Sequence, residues 1–133
     1  MELTNAIPLL NEIRHAPAAL RERGERRVIN IMNFPLTNDD SQFLDEALGR
    51  GAVTITYRGG ETTFWQEAKV SGVWWGEYRN AYHKVTLRTI EISDFPALAK
   101  AQPEDIEDGI ARIDEALNGR QTNAARSLTV SPS

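Results

Sequence analysis

His15 and His83 are the side chains of this sequence best suited to proton transfer or metal ligation near neutral pH. Neither stands in an H-x-x-x-H or H-E-x-x-H pattern, and neither lies near carboxylates at ligand spacing, so no metal site is expected. The chain contains no cysteine, which removes disulfides, thiolate ligation, iron–sulfur ligation and a thiol nucleophile from the chemistry it could supply. Glu104, Asp105, Glu107 and Asp108 cluster in sequence. A catalytic carboxyl pair needs one member shifted by burial, whereas four acids within five residues suit the positive end of a helix. Gly49-Arg50-Gly51 and Gly59-Gly60 lack the strand-to-helix context and the following Lys-Ser/Thr of a phosphate cradle, and read as turns. No serine occupies a G-x-S-x-G elbow, and no histidine is placed to activate a hydroxyl. The residues therefore predict no catalytic group, no metal and no cofactor.

The segment Val73-Trp74-Trp75-Gly76-Glu77-Tyr78-Arg79-Asn80 is the most distinctive in the chain. Adjacent tryptophans on a strand face opposite ways, so both are buried only if both faces of the sheet are covered. Otherwise one indole is left outside as an aromatic anchor for a protein partner.

The elements that would hold these residues are legible from period and punctuation. Ile7, Leu10, Ile13 and Leu20 follow helical spacing, but Pro17 should break that helix near His15 into two short pieces. Val28-Ile29-Asn30-Ile31-Met32 reads as a strand ending before Pro35. A helix over 39–48 is predicted by the cap candidates Thr37 to Asp40, the stripe Phe43, Leu44, Ala47 and Leu48, and a glycine stop. Val53, Ile55 and Tyr57 alternate with threonines, and strands over 61–68, 73–79 and 84–92 follow as a meander. Apolar parity changes within the last of these, which suggests a bulge or a new packing partner near Thr89. The final helix begins at Pro103 with the stripe Ile106, Ile110, Ile113 and Leu117, and Gly119 is expected to end it, leaving 120–133 as a loose tail.

The fold class expected is α+β: an antiparallel sheet of about four to five strands packed with about three helices, as one domain over 1–119. A chain of 133 residues with 41% apolar and 26% charged residues has the length and composition for one core. A net charge of −4 and a pI near 5.2 argue against nucleic acid. Arg21, Arg23, Arg26 and Arg27 are interleaved with Glu22 and Glu25, as on a solvated helix end. No stretch approaches the roughly 18 apolar residues of a membrane span, and Met1-Glu2-Leu3-Thr4-Asn5 does not open a secretory signal, so a cytoplasmic protein is expected.

Several segments together form a known pattern. They are Phe43-Leu44-Asp45-Glu46-Ala47-Leu48-Gly49-Arg50-Gly51 with Val53-Thr54-Ile55, then Val73-Trp74-Trp75, then Thr89-Ile90-Glu91-Ile92-Ser93-Asp94-Phe95-Pro96, then Pro103-Glu104-Asp105-Ile106-Glu107-Asp108. In this order and spacing, over 33–118, they resemble the C-terminal domain of the hydrogenase expression/formation protein family of the HupH/HyaF type. The resemblance implies an accessory role without catalysis in the maturation of an uptake [NiFe] hydrogenase. The implied partners are a hydrogenase subunit, with the iron–sulfur small subunit favoured, and other maturation proteins. It implies a shared structural or docking role for Trp74, Trp75, Glu91, Asp94 and Pro96, to which the aromatic strand adds Tyr78 and Asn80. Gly60-Glu61-Thr62-Thr63-Phe64-Trp65 matches no motif of the family, and longer members carry additional N-terminal sequence. The residues leave open a rival reading, a small-ligand module whose pocket is gated by Trp65, Trp74 or Trp75. A homodimer through exposed strand edges is a further expectation.

Overall fold

In the computed structural model, which describes residues 2–128 and gives 121–128 by backbone alone, the N-terminal apolar pattern breaks next to its proline. Helix α1 (Ala6–Arg14) stops at His15. Helix α2 (Ala16–Arg23) restarts with Pro17 in its first turn, where an absent N–H leaves no bond unmade. Gly24 closes α2 at φ 66°, a conformation that needs no Cβ, and donates its N–H to the Leu20 carbonyl at 2.9 Å.

Strand β1 (Arg27–Asn30) is shorter than the apolar run predicts. The Asn30 side chain accepts the Met32 N–H at 2.9 Å, and this local bond turns Ile31–Asn33 into a 3-10 helix in place of continued strand. Helix α3 (Asn38–Leu48) starts with a capping box: Thr37 Oγ1 accepts the Asp40 N–H and Asp40 Oδ2 accepts the Thr37 N–H, both at 3.0 Å.

Strands β2 (Thr54–Arg58), β3 (Thr62–Glu67), β4 (Val73–Arg79) and β5 (Val85–Ile92) complete an antiparallel sheet in the order β1-β5-β4-β3-β2. Ile29, Val73, Ile90 and Ile92 of the sheet join Leu9 and Ile13 of α1, Ala16 of α2, and Leu44 and Leu48 of α3 in one buried cluster. The α+β class, a five-stranded antiparallel sheet packed with helices, is as the sequence predicts, and the structure adds that α1, α2 and α3 share one face of it.

Besides the shorter β1, two expectations need correction, the bulge near Thr89 and the end of the last helix, while the alternative to that bulge, a change of packing near Thr89, fits the burial pattern. The irregularity of β5 is not at Thr89: pairing with β4 is regular from Leu87 to Ile92. It slips between Tyr78 and Arg79, whose partners are Leu87 and Val85, so Thr86 is the extra residue. The parity change arises because Thr89, Ile90, Glu91 and Ile92 are all buried, so both faces of that half are covered. The last helix does not end at Gly119 either, since α4 runs over Pro103–Leu128. A glycine inside a helix costs about 1 kcal/mol relative to alanine without altering the geometry, and the surrounding residues carry the helix past it. The expected loose tail is thus helical over 120–128, and 129–133 lie outside the described residues.

Residues 1–99 form one compact unit, and α4 belongs to a second that begins at residue 100. Among the described residues no helix is long and apolar enough to cross a membrane.

Candidate partner-binding site on the aromatic strand

Alternation along β4 sends Trp74, Gly76 and Tyr78 to one side of the sheet and Val73, Trp75 and Glu77 to the other. On the first side lies a buried polar network. Trp65 stands opposite Gly76 on β3, and Thr89 stands opposite Gly76 on β5. Glu91 Oε2 accepts from Trp65 Nε1 at 3.1 Å, from Tyr78 Oη at 2.7 Å and from Thr89 Oγ1 at 2.7 Å. Glycine at position 76 makes room for it: a Cβ there would meet Thr89 Oγ1 at 2.2 Å and Glu91 Oε2 at 2.8 Å. Burial, together with the hydrogen bond to Glu91 and its charge, pushes the Tyr78 hydroxyl well above the usual tyrosine range. Trp65 meets Tyr78 edge-on with ring centroids 6.0 Å apart. Trp74 is only 2% exposed, donates to the Ser93 carbonyl at 2.9 Å and meets Phe95 edge-on at 6.2 Å.

On the other side Trp75 is half-buried at the rim of the core. Its Nε1 donates to the Gly49 carbonyl at 2.9 Å, and the Arg50 guanidinium lies 4.4 Å above the ring while pairing with Asp45 at 3.0 Å. Beyond Trp75 an open groove runs along the sheet between Phe64, Gln66 and Glu77, with Arg88 at its side. Arg79 lies 5.1 Å from the Phe64 ring centre and pairs with Glu77 at 2.7 Å, while Arg88 reaches Glu77 at 3.5 Å. Arginine and aromatic side chains side by side in a half-exposed groove are typical of protein contact surfaces.

The residues singled out in the sequence thus fall into four places. Trp74, Tyr78 and Glu91 share the network face, where Trp74 and Glu91 are buried and Tyr78 is half-buried. Trp75 lies on the opposite face. Asn80 opens the β4–β5 turn, its side-chain oxygen accepting the N–H groups of Tyr82 at 2.9 Å and Lys84 at 3.1 Å. Asp94, exposed, pairs with Arg26 at 3.2 Å just after β5, and Pro96 is buried two residues on. The two histidines sit on separate elements: His15 at the joint of α1 and α2, His83 at φ 63° in the β4–β5 turn. Among the described residues no group of three or more His, Cys, Asp or Glu is placed to hold a metal ion.

Sequence reasoning did not single out Arg50 or Tyr82. Arg50 follows the helix-ending Gly49, so its stacking on Trp75 depends on a contact across 25 residues that spacing does not reveal. Tyr82 is 90% exposed at the tip of a hairpin whose sequence signal is Asn80 at its first corner.

Comparison with known proteins places the chain in a family. The family model described as HupH hydrogenase expression protein, C-terminal conserved region, matches residues 3–119. The chain belongs to this family. This match begins well before residue 33, where the resemblance read from the sequence begins. Among curated relatives, the hydrogenase expression/formation protein HupH of Rhizobium leguminosarum bv. viciae is 35% identical over 109 residues, covering 82% of this chain and 39% of that protein. The hydrogenase expression/formation protein HoxQ of Cupriavidus necator is 34% identical over 113 residues, covering 85% and 40%. The chain therefore spans about two-fifths of the length of the curated relatives it matches. The solved structure of the hydrogenase expression protein HupH from Thiobacillus denitrificans superposes with a TM-score of 0.80 at 34% identity, covering 89% of this chain and 99% of that one.

Proposed function

We propose that the chain acts as a non-enzymatic accessory protein in the maturation of an uptake [NiFe] hydrogenase, binding the iron–sulfur small subunit during assembly. The observation that carries the reading is membership of the HupH C-terminal family over 3–119, with curated relatives named as hydrogenase expression/formation proteins. The contact surface in this reading is Trp75 with the groove beside it; Tyr78 on the opposite face, Asn80 in the β4–β5 turn and Asp94 past the far end of β5 are accessible positions outside that groove. Trp74, Glu91 and Pro96 act beneath it as supports, since a buried side chain positions a surface without touching what docks there. The polar network engages the N–H of Trp65 and the hydroxyl donors of Thr89 and Tyr78 internally, which fits a scaffold better than a reaction centre.

Affinity capture on the tagged chain at low salt, from cells expressing a hydrogenase operon, tests this. The small subunit should be retained, and Trp75→Ala should reduce its recovery several-fold, the usual effect of losing a central aromatic anchor. An eluate without the small subunit, the large subunit or any maturation protein would sink the reading. A ligand-binding alternative is favoured by the cavity of Phe64, Gln66 and Trp75. Tryptophan emission that shifts saturably on adding a metabolite would support it.

A further inference from the structure

Strand β2 forms one edge of the sheet, and among the described residues no strand pairs with its outer rim. Glu67 donates to the Val53 carbonyl at 2.9 Å and Gly59 donates to the Glu61 carbonyl at 3.1 Å. With Ile55 opposite Trp65 and Tyr57 opposite Thr63, the hydrogen-bonded positions of the ladder are 53, 55, 57 and 59. The N–H and C=O groups of Thr54, Thr56 and Arg58 therefore point away from β3. Natural edges are usually blunted by proline, a bulge or an inward charge. Thr54-Ile55-Thr56-Tyr57-Arg58 contains no proline, pairs with β3 without a slip, and consists mostly of strong β-formers.

The side chains of this edge sort by chemistry. Thr54, Thr56 and Arg58 lie on the groove face, beside Phe64 and Gln66, where Arg50, Arg79 and Arg88 also gather. Glu77 and Asp45 offset two of those four cations, so the groove is positive on a chain whose net charge is −4. The opposite face of the edge is apolar: Ile55 is half-buried beside Trp65, and Tyr57 is 41% exposed.

We infer that the β2 edge receives an extended polypeptide segment in which acidic and apolar residues alternate, adding a strand to the sheet. Its backbone bonds to Thr54, Thr56 and Arg58, its acidic side chains lie among the arginines, and its apolar ones cover Ile55 and Tyr57. The occupant is a polypeptide because the rim offers donors and acceptors in the alternation of a strand, and the acidic chain as a whole repels a polyanion such as nucleic acid. The inference stands on the edge alone and does not depend on the maturation reading.

The isotope-labelled full chain is titrated with a short blocked peptide alternating Glu and Val, and with the same residues re-ordered so that all Glu precede all Val. The alternating peptide should move the amide signals of 54–58, slow hydrogen exchange at Thr54, Thr56 and Arg58, and bind about tenfold or more tightly than the re-ordered one. Thr56→Pro removes an outward N–H that the ladder does not use. It should weaken binding about tenfold or more with the far-UV spectrum unchanged, since edge positions tolerate proline. Arg58→Glu should weaken binding several-fold and flatten its salt dependence, and it decides the matter alone if the proline variant does not fold. Equal binding of the re-ordered peptide, shifts confined to other residues, no saturable binding at millimolar peptide, or full displacement by oligothymidylate would each overturn the inference.

Discussion

Asp40 shows how much one side chain organises here. It is fully buried, yet its carboxylate accepts backbone N–H groups from Thr37 at 3.0 Å, Thr4 at 2.8 Å, Asn5 at 3.1 Å and Ala6 at 3.2 Å. It closes the capping box of α3 and supplies the acceptor that the first turn of α1 lacks, since Asn5 makes no side-chain cap. Burial pushes its pKa up, but the four backbone donors outweigh burial and hold the carboxyl well below its ordinary value of 3.8. A carboxyl depressed in the folded state stabilises the fold at pH values above 3.8, and that contribution is lost as pH falls through the folded pKa. Asp40→Asn should therefore lower Tm by several degrees at neutral pH, and the gap from the parent should narrow as pH drops below 3.8; thermal melts across acidic pH would read it. The α3 half of this role is written in the sequence as Thr37-x-x-Asp40. The α1 half is not, because a capping partner 36 residues distant leaves no trace in spacing.

Elements whose signal is local were legible, and those whose limits are set by neighbours were not. The break at Pro17, the alternation of β2 and the strand containing Trp74 and Trp75 each follow from one chemical rule acting over a few residues. The end of β1 was misplaced because Asn30 bonds its own backbone, and the slip in β5 because Thr86 is extra only relative to β4. Glycine at 119 looked like a stop, yet it lies within α4, where nothing within 4 Å would meet a Cβ. Gly119→Ala should then raise helicity and add about 0.5–1 kcal/mol to α4, measured by far-UV circular dichroism and melting. A loss of helicity would instead mark position 119 as a true C-terminal stop.

At the scale of the whole molecule, the class, the family and the meander of β2 to β5 were readable, while the place of β1 and the composition of the second sheet face were not. Sheet order depends on which strands meet across long separations, so β1 lying beside β5 cannot be read from either strand alone. The segment around Trp65, which matched no family motif, turns out to be the third leg of the Glu91 network. All five strands, the buried cluster and the three tryptophans fall within 1–99. Residues 1–99 expressed alone should keep the near-UV tryptophan spectrum of the full chain and unfold in a single cooperative transition in urea. A flat near-UV spectrum would show that this unit does not fold by itself.

The clasp at Asp40 has a consequence for local opening. Helix starts ordinarily fray, so the amides of Thr4, Asn5 and Ala6 would be expected to exchange within seconds. With their acceptor held on another helix, they are released only when that long-range closure is undone, and their exchange should be as slow as that of the central strands.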